Sequence, residues 1–372
     1  MIIGVPKEIK IYEYRVGLVP SSVIELVARG HKVIVQHEAG ISIGFNDADY
    51  EKAGAIISRS TEEIFIKSEM IVKVQEPQST ECKMLHEEQI LFTYLHLAPD
   101  PKQAAELKSS GCTAIAYETV TNDFGKLPLL TPMSEVAGRL AIQVGAHALE
   151  KQQGGSGVLL GGVPGVPAGT IVIIGAGVVG SNAMLMAIGI GAHVIVLDNS
   201  MRRLQELDLI FGSHITTVYA TMDSIGKYTS KADLVIGAVL SPGAAAPKII
   251  NKSMLRKMKP GSVLVDVSID QGGCCETSRP TTHDEPTYIE ENIVHYCVIN
   301  MPSAVPRTST FALNNVTLPF IIDLADKGYR AALLDDPNLL NGLNVHKGQV
   351  TYETVANDLG CRYMPAVEAL KK

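Results

Sequence analysis

Tryptophan is absent from the 372 residues, and aromatic side chains of every kind make up only 5%. Charge is scarce too, at 19% against 46% apolar residues, and a chain so apolar is not disordered. No block of Lys or Arg occurs. With 32 basic and 39 acidic residues the net charge is −7, which excludes a nucleic-acid footprint and electrostatic docking on anionic membranes. Six cysteines (Cys82, Cys112, Cys274, Cys275, Cys297, Cys361) form no CxxC pair, as suits a reducing compartment better than a disulfide framework. None of the ten histidines is spaced with carboxylates or thiols in a zinc pattern, and HExxH, GxSxG and Walker A sequences are all missing. No metal is therefore expected. The first residues, MIIGVPKEIK, hold no apolar run of signal-peptide length, so the chain reads as cytoplasmic. Small soluble partners are the favoured kind.

What is present is alternation. The length calls for two domains of roughly 150–200 residues. Short runs rich in Ile and Val at Met1–Val5, Lys32–Gln36, Met70–Val74, Leu91–Leu95 and Thr113–Tyr117 read as strands. A second series follows at Ile171–Ile174, His193–Leu197, Leu234–Ala238, Val263–Val267 and His295–Ile299. Helical patterns such as Ser21–Ala28 and Lys102–Leu107 lie between them. Strands spaced by helix-sized segments imply parallel sheets covered on both faces, hence an α/β protein of two doubly wound, Rossmann-like domains. Ser134–Glu150 reads as one long helix, with Ser134 able to cap it and Val136, Leu140, Val144 and Ala148 at helical spacing. The uncharged Gly- and Pro-rich stretch Gly154–Gly169 reads as a tight ordered loop. From about Arg307 another helical pattern (Leu313–Lys327) returns to the first domain. Ile171–Leu197 is 27 residues without a charge, long enough to span a bilayer. Five glycines interrupt it, and it fits a buried strand–turn–helix–strand better.

That same stretch contains Gly175-Ala176-Gly177-Val178-Val179-Gly180, preceded by TIVII and followed by a helical pattern. In this context GxGxxG binds a dinucleotide. The first Gly makes the turn, the second admits a pyrophosphate, and the third lets helix pack on strand. Eighteen residues past Gly180 the next strand ends in Asp198, which would accept from ribose hydroxyls and repel a 2′-phosphate, so NAD is preferred over NADP. The bland alternative is a glycine-rich packing turn. Ligands of open α/β sheets lie beyond the carboxyl ends of strands. Asp270 sits at such an end, before Gly272 and Gly273, as a ligand or a loop cap. After the first strand comes Arg15, whose planar fork suits a substrate carboxylate, unless it is a solvated loop residue. After LFTYL comes His96, able to exchange protons near neutral pH, unless it only terminates the strand.

Assembled, these residues resemble the alanine dehydrogenase family, to which the NAD-binding subunit of proton-translocating transhydrogenase is related. The likeness runs end to end, through IGVPKEIK with Arg15, GHKVIVQHEAG, LFTYLHLA, TAIAYETV, LPLLTPMSEVAGR, GGVPGV, GAGVVG, AVLSPGAAAP, VDVSIDQGG, SRPTTHD and NMPSAVPRTST. The resemblance implies reversible oxidative deamination of L-alanine by NAD to pyruvate and ammonia. It implies a cytoplasmic homohexamer of bilobed subunits with a cleft between the domains. Residues 1–128 and 307–372 would form the substrate domain and 129–306 the nucleotide domain. His96 would be the acid/base, Asp270 its catalytic partner near the nicotinamide ribose, and Arg15 the carboxylate clamp. Ser134, Val178, Arg203, Val239, Leu240, Val267, Arg279, Val298, Asn300 and Met301 would join Gly175, Gly177, Gly180, Asp198 and Asp270 as NAD contacts. A hydride exchanger between two nucleotides would have no use for Arg15 and His96, which favours the dehydrogenase.

One departure stands out. The family reads KVKEP where this chain reads Lys73-Val74-Gln75-Glu76-Pro77. The substrate-reaching lysine is thus the neutral, shorter Gln75, and Lys73, about 6.6 Å back along the same strand face, is an imperfect substitute. The resemblance therefore leaves two readings: an alanine dehydrogenase impaired at Gln75, or an NAD-binding member with altered substrate or little turnover.

Overall fold

The computed structural model describes residues 1–239 and 246–371. The chain forms two compact units, one of Met1–Met133 with Val305–Lys372, the other of Ser134–Ala304. The first unit opens with strands β1 (Ile2–Val5), β2 (Lys32–Gln36), β3 (Ile56–Ser58), β4 (Met70–Val72), β5 (Ile90–Thr93) and β6 (Thr113–Ala116). The second unit holds β7 (Thr170–Ile174), β8 (His193–Asp198), β9 (Ile215–Tyr219), β10 (Leu234–Gly237), β11 (Val263–Asp266), β12 (Thr287–Glu290) and β13 (Ile293–Tyr296). The chain then returns to the first unit with β14 (Leu343–His346) and β15 (Gln349–Val350).

In the first unit the sheet order is β15-β14-β6-β5-β4-β1-β2-β3, and the six strands from β3 to β6 run parallel. Side chains alternate across it. Met70, Val72, Ile90 and Phe92 enter one core while Ile71 and Leu91 enter the other. Burial on both faces is why these strands read as continuous apolar runs. The returning segment belongs here for a specific reason. On the long helix Pro306–Lys327, buried Asn314 accepts from Val19 N–H at 2.9 Å and donates to the Gly17 carbonyl at 3.0 Å. It thereby pins the loop that carries Arg15.

The second unit has the order β12-β13-β11-β10-β7-β8-β9, in which the chain reverses direction across the sheet between β7 and β10. The uncharged run folds as β7, the helix Val178–Gly189 and β8. Among the described residues no helix is long and apolar enough to cross a membrane. Gly154–Gly169 is ordered, with Ser156 N–H on the Gly261 carbonyl (2.7 Å) and Val163 bridging Val166.

Three expectations need correction. The sheets are not wholly parallel, because β12 runs antiparallel to β13, and β14 to both β6 and β15. Strands β3, β9, β12 and β15, which are edges, and the four-residue β14 between β15 and β6 are additions to the expected set. The helix expected from Ser134 instead spans Thr131–Ala148, so Ser134 lies within it rather than capping it. Pro132 explains the earlier start, since the first helical turn has no partner for the N–H that proline lacks.

His346, 1% exposed, lies on β14 between β15 and β6 in the first sheet, with Nδ1 2.9 Å from Thr113 Oγ1. Burial, with Lys347 and Arg330 nearby, lowers its imidazole to about 4. The folded value lies below the unfolded one of about 6.5, so this histidine favours folding above that pH and opposes it progressively as pH falls toward 4. Urea unfolding at pH 7 and 4.5 should show a stability loss that His346→Asn reduces by on the order of 2 kcal/mol. An equal loss in both proteins counts against the assignment.

Candidate functional site

Past the carboxyl ends of β1 and β4 the first unit gathers charge inside the protein. Arg15 is 1% exposed. Its Nε donates to Glu13 Oε1 at 2.7 Å and its Nη2 to Glu13 Oε2 at 2.6 Å, a two-pronged pair, while Nη1 points at the Met133 thioether, 3.0 Å away. Burial alone would lower the arginine's pKa, but Glu13 overrides it and the net shift is upward. Arg15 is therefore no solvated loop residue.

Gln75 is buried beside it. With its amide turned so that oxygen faces donors and nitrogen faces acceptors, the oxygen accepts from Arg15 Nη2 at 3.0 Å and the nitrogen donates to the Glu76 carboxylate at 2.5 Å. Glu76 in turn takes the Lys10 ammonium at 2.5 Å, and Thr93 Oγ1 donates to the Gln75 carbonyl at 2.9 Å. Lys73 is not free to take the place of the lysine that the resemblance puts at position 75. It is buried between Glu8 (2.9 Å) and Glu81 (2.8 Å), which hold its pKa up against the opposing effect of burial. Strand β4 ends at Val72, so the two-residue alternation that would align Lys73 with Gln75 stops short of both. Burial raises the Glu8 carboxyl despite Lys73, and Glu8 also accepts from the Val74 N–H at 2.7 Å.

Past β5, His96 is exposed and takes the left-handed backbone conformation, φ +47°. A non-glycine residue adopts it at a cost of roughly 1–2 kcal/mol. The stabilising contact is Glu118, in the short turn Tyr117–Thr119 after β6. Its carboxylate accepts from His96 N–H at 2.7 Å and Leu95 N–H at 3.1 Å, bonds to a charged acceptor worth about 1.5–3 kcal/mol each. The imidazole stacks on the Tyr94 ring at 5.8 Å, and the Tyr94 hydroxyl donates to the Leu129 carbonyl at 2.6 Å. Burial raises the Tyr94 pKa while the Arg15 charge pulls it down, so one aromatic side chain lies under the influence of both candidate residues.

In the second unit the three glycines have separate duties. Gly175 has φ +98°, and a Cβ there would lie 2.3 Å from the Ala238 carbonyl oxygen. A Cβ on Gly180 would fall 1.9 Å from the Gly175 carbonyl oxygen, whereas one on Gly177 would meet nothing within 4 Å among the described residues. A tight turn, a close helix–strand contact and open space before the helix N-terminus are the cradle that a pyrophosphate requires. Asp198 accepts from Ala176 N–H (2.7 Å) and Ser200 N–H (2.8 Å), and its carboxylate has acceptor sites beyond these two for ribose hydroxyls. Arg203 braces the same turn from below, Nε on the Ala176 carbonyl (2.7 Å) and Nη2 on Ser181 Oγ (2.6 Å). Val178 begins the helix and is exposed.

Beyond β10 and β11, Ser268 Oγ accepts from Val239 N–H (3.0 Å) and donates to its carbonyl (2.7 Å), joining the loops that carry Val239, Val267 and Asp270. Asp270 is exposed and accepts from Asn300 N–H at 3.1 Å, with Asn300 itself left-handed at φ +56°. Met301 and Val298 are buried beside it in sequence, and Arg279 lies over the Tyr288 ring at 4.0 Å. Leu240 falls outside the described residues. Ser134 is half-buried in its helix.

Four supporting residues escaped the sequence reading: Glu13, Glu118, Tyr94 and Asp266. Asp266, fully buried, accepts from the N–H groups of Ser268 (3.1 Å), Cys274 (2.8 Å) and Cys275 (3.2 Å) and from Ser278 Oγ (2.5 Å), so it holds the whole Asp270 loop. A signal existed for Glu13, an acid two residues from an arginine expected to be buried in a site. For the others only the fold supplies the partner.

Comparison with known proteins bears on both units. Residues 4–137 match the family described as alanine dehydrogenase/PNT, N-terminal domain, and residues 141–353 match its C-terminal domain. The alanine dehydrogenase of Halomonas elongata is 56% identical, with all of both chains covered. That of Bacillus subtilis is 53% identical over 100% of this chain and 98% of its own. A solved L-alanine dehydrogenase superposes with a TM-score of 0.94 at 50% identity, covering 97% of this chain and 99% of the other. With both units matched and full-length relatives sharing half their residues or more, the chain belongs to the alanine dehydrogenase/PNT family.

Proposed function

We propose that the chain catalyses the NAD-dependent, reversible oxidative deamination of L-alanine to pyruvate and ammonia. The observation that carries it is that a buried Arg15, its guanidinium fixed by Glu13, and an exposed His96, its N–H taken by Glu118, both stand past strand ends of the first unit's sheet in a member of this family. Glu13 fixes the plane of the guanidinium, and a substrate carboxylate that replaced the weak Met133 thioether at Nη1 would gain a charge-assisted bond. His96 exchanges the proton of the reacting oxygen or nitrogen, and Asp270 assists with water or ammonia. NAD, when bound, supplies the acceptor and donor of hydride. Its holders on this reading are Ser134, Gly175, Gly177, Val178, Gly180, Asp198, Arg203, Val239, Leu240, Val267, Asp270, Arg279, Val298, Asn300 and Met301. Residues 1–128 and 307–372 serve substrate and 129–306 nucleotide. Family membership supports a cytoplasmic homohexamer.

Gln75 favours a second reading, a member with slow turnover or a shifted substrate. Its amide can offer a donor to the substrate carbonyl, but with no positive charge to stabilise the oxygen as hydride adds.

NADH should be oxidised when pyruvate and ammonium are supplied together, and no oxidation above blank at high protein concentration defeats the first reading. Gln75→Lys, assayed beside the parent, should raise kcat on the order of 10²-fold or more. An unchanged rate means that this position does not limit turnover. Gly177→Ala should melt like the parent yet bind NADH at least about tenfold more weakly, because its methyl occupies only the ligand's space. Gly180→Ala should instead lower the melting temperature, and fluorescence titration with calorimetry distinguishes the two.

A further inference from the structure

We infer that Glu118 is a positioning residue for the proton exchange assigned to His96, a role that rests on the proposed function and extends it. Strands β5 and β6 pair in parallel with Thr93 beside Ala116. Two residues beyond that last pair, Leu95 stands where a ladder would continue, and its N–H needs a partner. The carboxylate of Glu118 meets it through both oxygens, at 3.1 and 3.2 Å, and also takes the N–H of His96 at 2.7 Å. One carboxylate oxygen, Oε1, takes both N–H groups while Oε2 shares that of Leu95, within the roughly four acceptor sites a carboxylate offers.

The consequence lies in where the ring goes. With φ at +47°, residue 96 leaves the strand direction, and its imidazole is exposed while Leu95 and Leu97 on either side are buried. The neighbouring groups are fixed independently of Glu118. Gln103 Nε2 donates to the Leu95 carbonyl at 3.0 Å, and Tyr94 is tethered through its hydroxyl. Only the peptide that sets the direction of His96 depends on the carboxylate. Loss of Glu118 should therefore misdirect the imidazole without unseating the strand, the arginine or the nucleotide unit. Small displacements of an acid/base group lower the rate of the chemical step more than they lower binding.

The test compares Glu118→Ala, Glu118→Gln and His96→Ala with the parent in the amination of pyruvate. Melting temperature and NADH binding are measured on the same samples. Glu118→Ala should lose kcat roughly tenfold or more, with the pyruvate KM and the NADH Kd within about threefold of the parent. Glu118→Gln should fall between, since its amide oxygen can still accept from both N–H groups but without the carboxylate's charge, and it decides the matter should the alanine variant fail to fold. A Glu118 variant that folds and keeps kcat within about threefold, while His96→Ala is inactive, overturns this inference alone. Equal losses in kcat and in binding mark Glu118 as merely structural and overturn it too. A His96→Ala enzyme with full turnover overturns the role of His96, and that of Glu118 with it.

Discussion

A guanidinium with 1% exposure cannot stand alone in a protein interior, and the pairing of Arg15 with Glu13 is the constraint that organises the strand ends of the first unit. Desolvating a cation costs several kcal/mol unless a partner of good geometry meets it, and removing that partner leaves the cost in full. Glu13 engages Arg15 through two parallel bonds and leaves the remaining donors facing Met133 and Gln75. The same rule governs Lys73, which two carboxylates hold. Two buried cations thus have quite different prospects. Lys73 is committed to the scaffold, while Arg15 keeps one donor on a thioether, among the weakest acceptors a protein offers.

In the second unit the corresponding work falls to missing side chains and to one acid. Gly175 and Gly180 exist because a methyl group would collide with backbone, while Gly177 leaves room that no atom of the described residues occupies. Asp266 holds its loop with four short contacts, and Gly273 at φ +79° lets the chain return close to that carboxylate. Left-handed backbone occurs at a candidate position in each unit, at His96 and at Asn300, two of the residues with side chains that adopt it. Each has an acid nearby that accepts its own N–H, Glu118 for one and Asp270 for the other.

Much of the architecture was legible in the order of the residues. Lys32–Gln36 appears as read, and most other parallel strands lie within two residues of their expected bounds, because a strand buried on both faces must be apolar throughout. Edges were not legible. Strand β15 has two residues and β3 three, too short for any periodicity, and β12 is partly exposed. The start of the long helix was misplaced because serine caps helices often, whereas here a proline in the first turn carried the helix three residues further back.

By itself, then, the sequence determined the α/β class, the glycine-rich turn with its terminal acid, and the family. Each of these depends on residues near one another along the chain or on an unbroken string of motifs. Tertiary structure alone decided that two carboxylates hold Lys73, that Glu13 clamps Arg15, and that Glu118 accepts the N–H of a left-handed His96. Those facts join residues on separate strands and turns, and whether a charge is paired, strained or free depends on which strand folds beside which.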